Sequence, residues 1–186
     1  MASPVKTSAA MSEQDKLAFW TKLLRLEGYH VVHERRDTPS DPIRLTVAPV
    51  LDVGICPHCS HACDDVNRRL DSDLIYDLPQ GPQAIRLVVR TPQFHCQRCD
   101  RYFTPPCPHV APGAHATERF LEQAARLIRF SDIANAAAFL GVPEKNLQRW
   151  YYDYVERQAK APVEQLKPIK SLGIDELSLK KSTGSS

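Results

Sequence analysis

The spacing of hydrophobic positions changes twice along this chain. In SEQDKLAFWTKLLRLE (12–27), Leu17, Trp20 and Leu24 recur at helical spacing, with Ser12 placed to cap the start and Gly28 just past the end. YHVVHERR and PIRLTVAPV then form two β-branched runs around DTPSD, whose Asp, Pro and Ser suit a turn, so a hairpin is predicted. Two further extended stretches, DLIYDLP and AIRLVVR, flank the turn QGP. In the second, Ile85, Leu87 and Val89 alternate with Arg86, Val88 and Arg90, the period of a strand. After the proline-rich PPCPHVAPG the period lengthens to that of a helix, from Thr117 onward. The segments ATERFLEQAARLIRF, SDIANAAAFL and PEKNLQRWYYDYVERQAK predict three helices in close succession, with Ser131 or Asp132 capping the second, Gly141 closing it and Pro143 in the first turn of the third. The expected fold class is α+β: a small antiparallel sheet followed by a helical module.

Composition narrows the function classes. In 186 residues, 42% hydrophobic and 25% charged, no apolar run approaches the roughly 18 residues of a membrane span. The opening MASPVKTSAAM lacks the apolar centre of a secretion signal, so a cytoplasmic, reducing location is expected. Six cysteines in such a compartment point to metal rather than disulfides. A formal net charge of +2 makes no case for nucleic acid by itself. Fifteen prolines against seven glycines, gathered at segment edges, read as punctuation between small modules.

The cysteines carry the chemistry. CPHC and CQRC place Cys56, Cys59, Cys96 and Cys99 in two pairs, each following extended chain. Two residues between cysteines let a tight knuckle aim both thiolates at one ion, and two knuckles complete a tetrahedral sulfur site of the kind that holds Zn2+. Four thiolates leave no position for water, so such a zinc is structural, and its binding energy is partly folding energy. Chance pairing, a thiol redox pair and a rubredoxin-like iron site are the competing readings of the same spacing. Cys107 and His109, with Cys63 and a knuckle histidine, are candidates for a second site, against an ordinary role as loop residues.

DIANAAAFLGVPEKNLQRWYYDYV has the shape of a helix-turn-helix. Ala134, Ala137 and Ala138 allow close helix crossing, and Ile133, Leu140, Val142, Leu147 and Tyr151 are expected to face the core. Lys145, Asn146, Gln148 and Arg149 are then left on the exposed N-terminal part of the second helix, with side chains that match base edges and phosphates. The plainer alternative is a helical hairpin with a solvated polar face. Trp150, Tyr151, Tyr152 and Tyr154 are read as core and interface rather than a base-stacking platform.

In their order, the CPHC knuckle, DLPQGPQAIRLVVR, FHCQRCDRYF, the helix-turn-helix around FLGVPEKNLQRW and LGIDELSLKK resemble the N-terminal half of an insertion-sequence transposase of the ISL-three type, over about 23–181. The resemblance implies a zinc ribbon and helix-turn-helix that recognise terminal inverted repeats in double-stranded DNA, ahead of an RNase H-like domain that cuts and joins it in the bacterial nucleoid. It also implies that Asp175 is the first acid of an Asp-Asp-Glu triad working with two divalent ions such as Mg2+. The sequence runs to STGSS without the other two acids of such a triad. The expectation is therefore a DNA-binding fragment that is no enzyme alone, the Mg2+ belonging to a full-length relative.

The expected organisation is a disordered N-terminus at 1–11, a helix and hairpin at 12–50, a zinc ribbon at 51–108, a helix-turn-helix at 116–160, and a linker with the start of a catalytic domain at 161–186. The rival reading is a zinc-stabilised protein-interaction module that pairs with full-length transposase, as an inhibitor, or with itself.

Overall fold

The computed structural model describes residues 11–160, so 1–10 of the expected disordered N-terminus, the expected linker and Asp175 lie outside the described residues. Helix α1 (Glu13–Leu24) opens where the Ser12 hydroxyl accepts the Asp15 N–H at 3.1 Å. It closes earlier than Gly28: Arg25 takes the left-handed conformation, φ 49°, as its C-cap. The predicted hairpin is formed by β1 (Tyr29–Arg35) and β2 (Ile43–Pro49), paired antiparallel. α1 is bonded to it. The Thr21 hydroxyl accepts the Val31 N–H at 2.9 Å, and the Trp20 indole donates to Glu34 at 2.8 Å.

Short strands β3 (Gly54–Ile55) and β4 (Ala62–Cys63) pair with each other around the first knuckle. β5 (Val66–Asp71), β6 (Ile75–Gln80) and β8 (Arg101–Phe103) all pair antiparallel with the long strand β7 (Gln83–Cys96). β2 pairs with β7 in parallel, the one parallel ladder in an otherwise antiparallel sheet. Segment 12–50 therefore shares a sheet with the cysteine-bearing segment. β7 is the spine: β5 and β6 follow one another down one edge, while β2 (opposite Ile85–Val89) and β8 (opposite Phe94–Cys96) occupy the other. Pro92 lies between those two partners, where β7 is paired along a single edge and a missing N–H is tolerated.

The buried positions of β7 change side along its length. Ile85, Leu87 and Val89 are buried, and then Pro92, Phe94 and Cys96. At period 2 these sets point to opposite sides. The first joins Leu24, Val31, Leu45 and Val47 beneath α1, and Phe94 and Cys96 join Phe103, Cys56 and Cys63 in a separate small core.

Helices α2 (Glu118–Ile128), α3 (Ile133–Leu140) and α4 (Glu144–Ala159) enclose a third core around Phe120, Leu121, Leu140, Leu147 and Trp150. A buried clamp joins it to the sheet. The Asp77 side chain on β6 is fully buried, accepts the Thr117 hydroxyl at 2.7 Å and pairs with the Arg119 guanidinium, which also donates to the Leu24 carbonyl at the end of α1. Thr117 is meanwhile the N-cap of α2. Because an unpaired charge there is costly, this pairing fixes how α1, β6 and α2 meet. No helix among the described residues is long and apolar enough to cross a membrane.

Candidate functional site

Cys56, Cys59, Cys96 and Cys99 converge as expected, their sulfurs all within 4.8 Å of one another. Cys56 and Cys99 are 3.6 Å apart and Cys59 and Cys96 3.5 Å, far longer than a disulfide. Sulfurs at tetrahedral corners around an ion at ~2.3 Å stand roughly 3.8 Å apart, so the spacing fits a four-thiolate metal site. All six cysteines are free thiols.

Both knuckles are built alike. The Ser60 N–H donates to the Cys56 carbonyl at 2.9 Å, and the Asp100 N–H to the Cys96 carbonyl at 2.8 Å. Ser60 and Asp100 each adopt a left-handed conformation, φ 55° and 53°. β3 and β4 brace the first knuckle, and the end of β7 with β8 braces the second. Phe94 stacks on Phe103 beneath them, with ring centroids 5.6 Å apart. Gly54 lies against this stack, since a Cβ there would sit 2.7 Å from the Phe94 ring.

The thiols are electrostatically unequal. Burial works against charge on Cys96, but the Cys99 N–H, the Cys59 thiol, the Arg98 N–H and the Cys63 thiol donate to its sulfur and bring it down to about 6. Burial, followed by hydrogen bonding with Cys96, pushes Cys99 up to about 12. Hydrogen bonding thus favours the Cys96 thiolate, and a bound cation would offset the burial that disfavours it at Cys99.

Cys63 is no further ligand in that set. Burial and its neighbour Cys96 push its thiol up to about 11, and it faces the His61 carbonyl at 3.5 Å. Cys107 packs in the core beneath α1 beside Tyr29, whose hydroxyl is raised by burial and by Cys107. His109 donates through Nε2 to the Glu27 carbonyl at 2.7 Å and stands edge-on to Tyr29. The two halves of the second metal site considered from sequence therefore lie in different cores, and the four-cysteine group is the one metal-ligating cluster found among the described residues.

In the helical module Asp132, rather than Ser131, caps α3 by accepting the Asn135 N–H at 2.8 Å, and Gly141 closes it at φ 63°. Ala136 and Ala137 are the small residues buried at the crossing. Ala134 and Ala138 face outward, and Ile133 and Tyr151 are only half-buried. Ala137 is buried as expected, with Ala136 beside it in place of Ala134 and Ala138, because the face that packs against α2 and α4 decides which alanines are covered. Leu147 and Trp150 bury one face of α4 completely, and Lys145, Asn146, Gln148 and Arg149 are all exposed on its first two turns. Pro143 leaves the α4 N-terminus without a side-chain cap.

Sequence reasoning missed the Asp77–Arg119 clamp. Its signal was present: Asp77 occupies the same strand phase as the buried Ile75, where a charge is tolerated only if paired.

The elements define a class of protein by architecture: a four-cysteine site at one end of a twisted sheet and a three-helix module clamped to the other. Compared with protein-family models, curated proteins and solved structures, the chain matches none.

Proposed function

We propose that this chain is the DNA-binding portion of a transposase of the type it resembles, with zinc as the structural ion of the four-cysteine site and α4 as the recognition helix. The observation that carries the reading is the division of α4: Leu147 and Trp150 are locked in the core while Lys145, Asn146, Gln148 and Arg149 project from the uncapped end. A helix presented in this way suits the major groove, with Arg, Asn and Gln matched to base edges and Lys to phosphate. Zinc is preferred to iron because of the DNA-facing helical module beside the site, since four thiolates suit either ion. Binding is the proposed activity of these residues, because four thiolates leave the ion no open position for a reacting water.

The test is a salt-dependent shift assay on wild type, Lys145→Ala and Arg149→Ala. Arg149→Ala weakens binding by about tenfold or more and relaxes preference at one position; Lys145→Ala lowers affinity evenly and reduces the salt slope by about 1. Equal binding by all three proteins removes α4 as the recognition helix.

A protein-interaction module is the second reading, favoured by Phe130 and Phe139, which are 92% and 76% exposed on the helical module. An apolar interface holds its affinity as salt rises, whereas DNA binding falls steeply.

A further inference from the structure

Side chains alternate between the two sides of β7, and residues directly opposite each other on paired antiparallel strands share a side. Arg86, Arg90, Pro92, Phe94 and Cys96 therefore point one way. The pairings Asp71↔Arg90, Arg69↔Pro92 and Arg101↔Cys96 put Asp71, Arg69 and Arg101 on that same side.

Both modules stand on this side, at opposite ends. At the start of β7, Arg86 lies 3.7 Å over the Tyr76 ring and donates to the Gly141 carbonyl at 3.3 Å, in the turn that leads into α4. At the far end Phe94 and Cys96 enter the metal core. The ten-residue separation of Arg86 and Cys96 corresponds to about 33 Å of extended chain, close to the roughly 34 Å of one turn of B-form DNA.

The floor between the two modules is lined by guanidinium groups. Arg90 is held by Asp71 at 2.7 and 2.8 Å, and Arg69 by Asp52 at 3.0 and 2.6 Å, both pairs substantially exposed. Exposed pairs of this kind contribute little, so a phosphate can compete for either arginine. At the metal end Arg101 is exposed, and among the described residues its one side-chain partner is the His58 ring at 3.3 Å. Two carboxylates of that end, Asp65 and Asp100, gather on His95, which points to the opposite side of β7.

We infer that this side of β7 is a single saddle for duplex DNA, in which α4 and Arg101 beside the second knuckle engage the same duplex about one helical turn apart, while Arg69 and Arg90 meet the phosphates between them. The inference rests on the DNA-binding reading and adds its geometry: α4 alone covers only part of the footprint, and the length of β7 sets the rest.

The experiment measures binding of blunt random-sequence duplexes of 8, 12, 16 and 20 base pairs across a salt series. It compares wild type, Arg101→Ala, and Arg69→Ala combined with Arg90→Ala, with folding checked by circular dichroism. At about 3.4 Å per base pair, an 8-base-pair duplex on α4 falls short of Arg101 and a 16-base-pair duplex reaches it. In wild type the salt slope rises by about 2 to 3 between those lengths. Arg101→Ala keeps the 8-base-pair affinity and loses about 1 of that rise, and the double variant loses about 2. Asp52→Asn with Asp71→Asn frees the arginines and tightens only the longer duplexes. Wild-type binding with variants that match it at every length overturns the saddle but leaves α4 as the recognition helix. No binding of any duplex by wild type overturns both.

Discussion

Ser60 and Asp100 occupy the same position in two separate knuckles, each the residue after a pair's second cysteine, each left-handed, each donating its N–H to the carbonyl of the pair's first cysteine. Neither is glycine, so each knuckle carries a backbone cost of about 1 kcal/mol. Ser60→Gly is expected to raise the stability of the metal-loaded protein by up to about 1 kcal/mol, and Ser60→Val to lower it by about 1–2 kcal/mol. Denaturant unfolding with metal present reads both. A stabilised valine variant would show that the turn relaxes freely.

Removal of metal from the four-cysteine site is expected to act locally. The metal core is separate from the helical core, and β7 is the continuous strand running from one end of the sheet to the other. Cys56→Ser is expected to abolish stoichiometric metal by elemental analysis. Chelation is expected to speed amide exchange in β8 and the end of β7 while α2 and α4 stay protected. Uniform loss of protection would mean that the three cores unfold as one.

Breaking the clamp at Asp77 is expected to be among the costliest single changes. Asp77→Ala strands the partly buried Arg119 guanidinium and costs about 3–5 kcal/mol in denaturant unfolding. Asp77→Leu with Arg119→Met removes both charges and costs clearly less. If the double change costs the sum of the singles, the two residues act independently.

His95 supplies a pH dependence. Its hydrogen bond to Asp100, and then the charges of Asp100 and Asp65, hold it above its ordinary 6.5. A raised folded-state value means that the stabilisation is complete below about 6.5 and is lost as pH climbs through the raised value. Thermal melts of metal-loaded wild type should fall in midpoint over that upward range, and His95→Gln should flatten this fall. An identical profile in the variant would assign the dependence elsewhere.

Gly54→Ala brings a methyl group to 2.7 Å from the Phe94 ring, which is itself pressed on Phe103. Overpacking of this kind costs about 1–3 kcal/mol, and the loss should appear as weaker metal retention in a chelator competition. Unchanged retention would show that the stack can shift aside.

Much of this molecule is local and was legible from sequence. Cysteine spacing selects the four residues that converge, because a two-residue knuckle has few ways to close. Periodicity placed α1, the β1–β2 hairpin, β6, β7 and the three helices, because burial of one face imprints its period on the chain. The exposed set Lys145, Asn146, Gln148 and Arg149 followed from the phase of Leu147 on α4. Other features were decided by tertiary structure. β5 escaped notice because VNRRLD is exposed along nearly its whole length and carries no alternation. The parallel pairing of β2 with β7 joins strands far apart in sequence, and no local pattern specifies the partner. α3 buries Ala136 and Ala137 rather than Ala134 and Ala138 because its phase is set by what it packs against, and alanine fits either face. The Asp77–Arg119 pair and the side of β7 shared by Arg69, Arg90 and Arg101 exist only once register is set, since a one-residue slip would send every one of those side chains to the other face.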